Sequence, residues 1–340
     1  MHTTLYQSPE AFTALADEWN TLLHRSSTDV PFLTLEWQSL WWQHFGYGDP
    51  LLLCAFRDET GALCGIAPLF RNCQTGKREL NTLGCADVSD YLDLIVAPGC
   101  EQAVFHALLD RLTAPGVPEW DAIDLCNLPE ASPTLQVLPA MAQARGWRVD
   151  TSVQEVCPII RLPATWDAYL ATLDKKERHE LRRKMRRAEQ SDQQVGWHIT
   201  AGEDSLDADL DVFIALLIKS RPDKAAFMTD TMRHFFHAVG HAAQQAGWLQ
   251  LAFLTVNGDK AASYMNFDYG NHIMMYNSGL DTQSFQWLSP GIVLTGYLIQ
   301  QAIENKRAVF DFLRGNEDYK YRLGGQDTRI YKLHIERQDL

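Results

Sequence analysis

The sequence predicts an α/β (α+β) protein built from two similar halves, each a sheet flanked by helices. Three observations carry that expectation. The chain has 340 residues, long for one hydrophobic core and comfortable for two. Hydrophobic residues make up 46% and charged residues 21%, a balance that buries substantial cores and argues against disorder. The third is a repeated order of elements, a hairpin followed by a strand, a helix and a closing strand, met once before residue 130 and again after residue 248.

Each element has its own warrant. "PLLLCAFRDETGALCGIAPLF" (50–70) sets two apolar runs around a polar turn, and "LQLAFLTVNGDKAASYMNF" (249–267) turns at Asn257-Gly258, so both read as β-hairpins. After the first come the strand "YLDLIV", Pro98-Gly99, the helical "CEQAVFHALLDRL" and the strand "WDAIDLCNLPE". After the second come "HIMMYNSG", Pro290-Gly291, "IVLTGYLIQQAIENK" and "AVFDFLRGNE". Turn glycine to Pro-Gly spans 37 residues in the first half (61 to 98) and 32 in the second (258 to 290). A repeat of this length denotes duplicated domains, not a solenoid. Apolar periodicity adds helices at 9–24, 34–45 and 131–145, then at 165–190, 206–220 and 229–246. The seam falls in "DTSVQEVCPIIRLP", giving domains 1–155 and 156–340.

Composition removes several functional classes. The start "MHTTLYQSPEAF" lacks a signal-peptide pattern, and no apolar run approaches the roughly 20 residues that span a bilayer, so a cytoplasmic protein without a membrane span is expected. The seven cysteines form no CxxC pair, which predicts free thiols and neither disulfides nor a zinc site. A formal net charge of −13 excludes a broad nucleic-acid face, so any polyanion must meet a local patch. "KKERHELRRKMRR" (175–187) is that patch, with eight lysines and arginines in thirteen positions. Its apolar seam of Leu173, Leu181, Met185 and Ala188 predicts a packed helix with Glu180 able to pair Lys184. Arg182, Arg183 and Arg186 are then candidates for holding a phosphate, against the plainer reading of a solvated charged helix.

Four stretches can carry chemistry. In "LSPGIVL", Ser289 is the expected N-cap, with Pro290 at the first helical position and Gly291 allowing close backbone approach, so free N–H groups can meet a phosphate. In "FDFLRGNEDYKYRLGG", Asp311 and Arg314 end a strand, and Glu317, Tyr319 and Lys320 crowd the loop beyond it, where open α/β sheets bind ligands. In "DVSDYLD", Asp87, Asp90 and Asp93 surround Tyr91 and can share a proton or hold an amine or hydroxyl. In "HFFHAVGH", His234, His237 and His241 share a helix face, but no partner ligands are visible nearby, so a half-exposed packing face is expected and no metal.

"DVSDYLD", "LDKKERHELRRKMRR", "LSPG" and "FDFLRGNEDYKYRLGG", in this order from 87 to 325, together resemble the GNAT-superfamily acetyltransferases of the CelD-like (cellulose biosynthesis) group. That group is similar to the FemABX peptidyltransferases, which carry two GNAT-like domains. The resemblance implies two tandem GNAT-like domains, each a mixed, mainly antiparallel sheet flanked by helices. It implies an acetyl-CoA or other acyl-CoA donor, without metal, in a V-shaped gap between "HIMMYNSG" and "AVFDFLRG". Tyr276 and Ser278 would then lie along the donor, and Ser289, Gly291 and Ile292 would meet its phosphates. The glycine-rich phosphate loop usual in the superfamily is missing, and "DTQSFQWLSPG" stands in its place. By the same resemblance Lys320 stabilises charge, Asp90 and Asp93 hold or deprotonate the acceptor, and Tyr319 protonates the leaving group. Tyr91, Asp311, Arg314 and Glu317 join the three arginines in binding a small phosphorylated or nucleotide-linked sugar of the cell envelope or a polysaccharide. The alternatives are FemABX-like transfer from aminoacyl-tRNA and a catalytically silent GNAT-fold binding protein. Oligomeric state stays open.

Overall fold

A computed structural model describes residues 1–46, 48–73, 76–85 and 88–337. Asp87 lies outside the described residues. The chain divides into two units, Met1–Glu155 with Thr328 onward, and Val156–Asp327.

The first unit opens with strand β1 (His2–Tyr6) and helices α1 (Glu10–Ala14), α2 (Ala16–Leu23) and α3 (Leu35–Phe45). The helix predicted at 9–24 is thus broken at Leu15, which leaves helical geometry at φ −107°. The predicted hairpin is β2 (Leu51–Arg57) with β3 (Leu63–Asn72), followed by β4 (Glu79–Thr82), β5 (Ile95–Val96), α4 (Glu101–Thr113), β6 (Ala122–Pro129) and α5 (Pro133–Ala144). Ser132 caps α5 by accepting the Thr134 N–H, with proline at the first turn, as such starts require. The third strand is β4, not "YLDLIV", of which only Ile95–Val96 pairs, on β3. The difference lies in side chains: Asp93 accepts from Thr28 and Thr134, which draws the preceding segment into buried polar contacts instead of a ladder. Strand β7 (Arg148–Arg161) carries the chain into the second unit.

That unit continues with α6 (Trp166–Thr172), α7 (Lys175–Glu189), β8 (Val195–Ile199), α8 (Leu206–Ser220), α9 (Pro222–Phe227) and α10 (Asp230–Gln245). It closes with β9 (Leu249–Val256), β10 (Asp259–Tyr269), β11 (His272–Leu280), α11 (Pro290–Glu304), β12 (Val309–Asp311) and α12 (Asp318–Arg322), before β13 (Gln326–Glu336). The single helix predicted at 165–190 divides at Leu173, which is extended at ψ 147°. At the second hairpin Asn257 and Gly258 both take positive φ, +53° and +93°, the geometry a two-residue turn between twisted strands demands.

The sheets follow one plan. In the second unit the order is β7-β12-β11-β10-β9-β8, antiparallel throughout except for β11 with β12. In the first it is β1-β2-β3-β4-β6-β13, antiparallel except for β4 with β6. Each unit is therefore mixed and mainly antiparallel, with a helix between its two parallel strands. Residues from Thr328 belong to the first unit, where the sequence places them in the second domain, because Ile330–Glu336 pair along β6.

Each unit has its own core. In the second, α7 buries the predicted seam of Leu181, Met185 and Ala188 in one core with Leu294, Leu298 and Phe310, each leucine contributing about 2 kcal/mol by burial. Cys85 and Cys126, expected as free thiols, are bonded, with Cα atoms 6.1 Å apart. The parallel pairing of β4 and β6 brings together two residues that are 41 apart in sequence. Among the described residues no helix is long and apolar enough to cross a membrane.

Candidate functional site

In the second unit β11 and β12 pair over three residues only, His272–Met274 against Val309–Asp311. β12 then stops: the Asp311 carboxylate accepts the Leu313 N–H at 2.7 Å, and Leu313 turns the chain away at φ +55°. β11 runs on to Leu280, so beyond Met274 its β12-facing edge has no strand partner among the described residues. A bulge falls in the same stretch. Met265 pairs Asn277 while Asn266 pairs Met275, leaving Tyr276 as the extra residue and re-aiming the backbone beside it.

The start of α11 borders this open edge. Ser278 and Leu280 share a cavity of about 270 Å³ with Ser289, Gly291 and Ile292. A second cavity of about 420 Å³ runs along α7, past Lys176, Glu177, Glu180 and Leu181, to Arg322 and Leu323. Lys184, Ile292 and Tyr319 line both, so the two form one groove. Ser289 occupies the N-cap position in a left-handed conformation, φ +54°, and its side chain makes no cap bond, contrary to the expected capping role. The N–H groups of Gly291 and Ile292 have no acceptor among the described residues. They stand at the positive end of a 15-residue helix, a ready anion site.

Two phenols flank these amides. Tyr264 is buried, its hydroxyl 3.3 Å from the Gly291 carbonyl and 3.1 Å from the Thr295 hydroxyl, and burial pushes it up to about 12. Tyr319 is held well above the ordinary tyrosine value by burial, then by the neighbouring Tyr264 and Glu317. Both therefore stay protonated and act as hydrogen-bond donors across the neutral range. Lys224 on α9 reaches β11 from another side, donating to the Ser278 carbonyl at 2.6 Å and lying 3.1 Å from its hydroxyl; burial, then Arg221, brings it down to about 8.

The groove gathers Ser278, Ser289, Gly291, Ile292 and Tyr319 from the residues the sequence nominates. It does not gather the three arginines. Arg182, Arg183 and Arg186 are exposed, with Arg182 3.6 Å from Asp167 and Arg183 doubly bonded to Glu180 at 2.7 and 3.1 Å. Glu180 thus pairs Arg183 in place of Lys184, and the Arg183 bond holds its carboxyl below the usual range. Tyr276 is turned from the groove, its ring stacked on Phe236 at 5.8 Å and tilted against Phe267 at 5.1 Å.

Lys320 has a different task from the one inferred by resemblance. Its ammonium reaches the carbonyls of Leu313, Arg314 and Gly315 at 3.1, 2.6 and 3.1 Å and the Glu317 carboxylate at 3.0 Å, with 3% of the side chain exposed. An ammonium has three N–H groups, so none remains for a reacting carbonyl. Together with Asp311 and Glu317 it locks the 311–317 loop.

In the first unit, Asp90 and Tyr91 are buried at 8% and 7% exposure, and Asp93 is fully enclosed. Asp93 accepts from the Thr28 hydroxyl at 2.7 Å, the Leu94 N–H at 2.8 Å and the Thr134 hydroxyl, and burial pushes its carboxyl up. It ties three segments together and cannot meet an acceptor, as the resemblance would have it. After β4 the chain folds back along β6: the Asn127 amide donates to the Ser89 carbonyl and the Leu92 N–H to the Asn127 carbonyl, beside the Cys85–Cys126 bond.

Sequence reasoning missed Lys184, Glu177, Tyr264 and Lys224. The apolar seam of α7 offered a signal for the first two, because residues flanking a buried stripe border whatever the stripe packs on. For Tyr264 and Lys224 there was none.

Residues 175–321 match the model of the acetyltransferase (GNAT) domain family. No curated protein matches the sequence. Among solved structures, FemX superposes with a TM-score of 0.65 at 12% identity over 98% of this chain and 97% of its own. The L-PGS structure from Bacillus licheniformis gives 0.57 at 11% over 98% and 94%. A tandem GNAT protein from the clavulanic acid biosynthesis pathway gives 0.51 at 11% over the whole of both chains. At such identities these likenesses speak to the fold, which is a two-domain, GNAT-like mixed α/β architecture.

Proposed function

We propose that the second unit is an acyltransferase whose groove takes an acyl-CoA donor. The observation that carries this reading is the convergence, in one groove, of the unpaired edge of β11, the free amides of Gly291 and Ile292, and Lys184. The residues fit such a donor. Leu280 and Ile292 offer apolar surface for an extended arm, while two N–H groups and an ammonium supply donors for a pyrophosphate.

The chemistry is attack of an amine or hydroxyl on the thioester carbonyl. The new C–N or C–O bond forms, the C–S bond breaks, the nucleophile gives up a proton and the thiolate gains one. Glu177 lines the groove and is the group we place to orient or deprotonate the acceptor. Backbone N–H groups beyond the Tyr276 bulge would face the carbonyl oxygen, where preorganised donors act most strongly on developing charge. Tyr319 would donate to the leaving sulfur. The acceptor is a sugar-containing, phosphorylated or nucleotide-linked precursor of the cell envelope or a polysaccharide, by the resemblance of the sequence motifs.

A second reading, transfer from aminoacyl-tRNA, is favoured by "DTQSFQWLSPG" standing where a glycine-rich phosphate loop is usual. Thermal denaturation with acetyl-CoA, CoA and aminoacyl-tRNA at two salt concentrations separates the two. Stabilisation by acetyl-CoA with weak salt dependence supports the first; stabilisation by aminoacyl-tRNA alone, lost steeply with salt, replaces it with the second.

A further inference from the structure

α8 and α10 approach closely because Gly240 has no side chain. A Cβ there would stand 2.8 Å from Leu210, which packs into the space. Three residues before and one after that contact lie Asp207 and Asp211 on α8, and His237 and His241 on α10. The helices run antiparallel, so the pairs meet crosswise. Asp207 Oδ1 lies 2.7 Å from His241 Nε2 and 3.5 Å from His237 Nδ1, while His237 Nε2 lies 3.1 Å from Asp211 Oδ1.

From these distances we infer that Asp207, His237 and His241 form a binding site for a divalent transition metal such as zinc, with Asp211 as the group that orients His237. One oxygen and two ring nitrogens lie within 4.8 Å of one another. Ligands of tetrahedral zinc, at about 2.0–2.2 Å from the ion, stand about 3.4 Å apart, so small side-chain rotations close the set. Asp211 supplies an independent pointer. Metal-bound histidines characteristically donate their second ring N–H to a carboxylate, and His237 faces one with each nitrogen. When neutral, the ring carries one N–H; given to Asp211, it leaves the Nδ1 lone pair facing the Asp207 oxygen at 3.5 Å, an opposition that a shared cation resolves.

Two imidazoles and a carboxylate select zinc, cobalt, nickel or copper over magnesium or calcium. Asp207 and His241 are 74% and 48% exposed, so the remaining coordination position opens to solvent. The ion would clamp α8 to α10. His234, on the same helix, takes no part, and the partner carboxylates come from α8, which no local pattern pairs with α10.

The test is titration of the chelator-treated full-length protein with cobalt and zinc, followed by visible absorption and by thermal denaturation. One equivalent of cobalt should give tetrahedral d–d bands, and zinc should raise the melting temperature. Both responses should vanish in Asp207→Asn and His241→Ala, and affinity should fall about tenfold in Asp211→Asn. Circular dichroism verifies that each variant folds. Absence of one-equivalent binding by the wild type, or equal binding by a His237→Ala/His241→Ala double variant, overturns the inference and leaves a hydrogen-bonded histidine–aspartate cluster.

Discussion

Gly296 of α11 lies against Met185 of α7 so closely that a Cβ on the glycine would stand 3.0 Å from the methionine sulfur. It would also stand 3.2 Å from a Leu181 methyl. The bare backbone lets the basic helix dock against the helix whose start carries the free amides, and so brings Lys184 to them. Replacing Gly296 by leucine should cost about 1–3 kcal/mol through overpacking and separate the two helices. Urea denaturation measures the first effect, and weaker acetyl-CoA binding at temperatures where the variant stays folded measures the second. An alanine should be nearly neutral, since relief of glycine's backbone entropy offsets a contact that a flexible methionine can yield.

Lys320 makes the opposite kind of prediction. Lys320→Ala strands the buried carbonyl of Leu313 and the part-buried carbonyls of Arg314 and Gly315, and leaves Glu317 without its ammonium. The denaturant midpoint should fall by the equivalent of about 3 kcal/mol with an unchanged slope. A variant of wild-type stability that had lost turnover would show that the lysine serves catalysis and not the loop.

Lys224 should make stability depend on alkaline pH. Its ammonium falls from the ordinary 10.5 to about 8 in the folded chain, through burial first and Arg221 second. Between those values the unfolded chain binds more protons than the folded one, so stability rises with pH across the window. The benefit is complete above 10.5 and is lost as pH falls through 8, a swing of about 3 kcal/mol. Measured against Lys224→Met, the wild type should gain stability between pH 7 and pH 10; parallel curves would contradict this.

Tyr319→Phe keeps the edge contact with Phe312, whose ring lies 6.1 Å away, and removes only the hydroxyl. Turnover should fall about a hundredfold with little change in the Michaelis constant for the donor. Unchanged turnover would remove the phenol from the chemistry.

What was legible in the sequence follows from where each signal resides. Asn257-Gly258 announces its hairpin because few other pairs adopt two positive φ values, and the Leu181–Met185–Ala188 seam announces a packed helix because periodicity is local. Nothing local distinguishes Lys184 from Arg182, Arg183 or Arg186; only the position of α11 decides which cation meets the groove. The Cys85–Cys126 bond, the pairing of β13 with β6 and the meeting of Asp207 with His241 join residues far apart in the chain, and each depends on register or helix approach that no short window contains. Resemblance pointed to Tyr319 and the start of α11, which line the groove. It erred for Lys320 and Asp93, whose residue types suit catalysis but whose partners are already inside the protein.

Equilibrium titration of acetyl-CoA into the wild type and Lys184→Ala addresses the groove most directly. The wild type should bind one equivalent saturably, and loss of a charge-assisted contact to phosphate should weaken the variant about tenfold or more without altering its melting temperature. No saturable binding by the wild type at millimolar acetyl-CoA, or equal affinity in the two proteins, would contradict the assignment of the α7–α11 groove as the donor site.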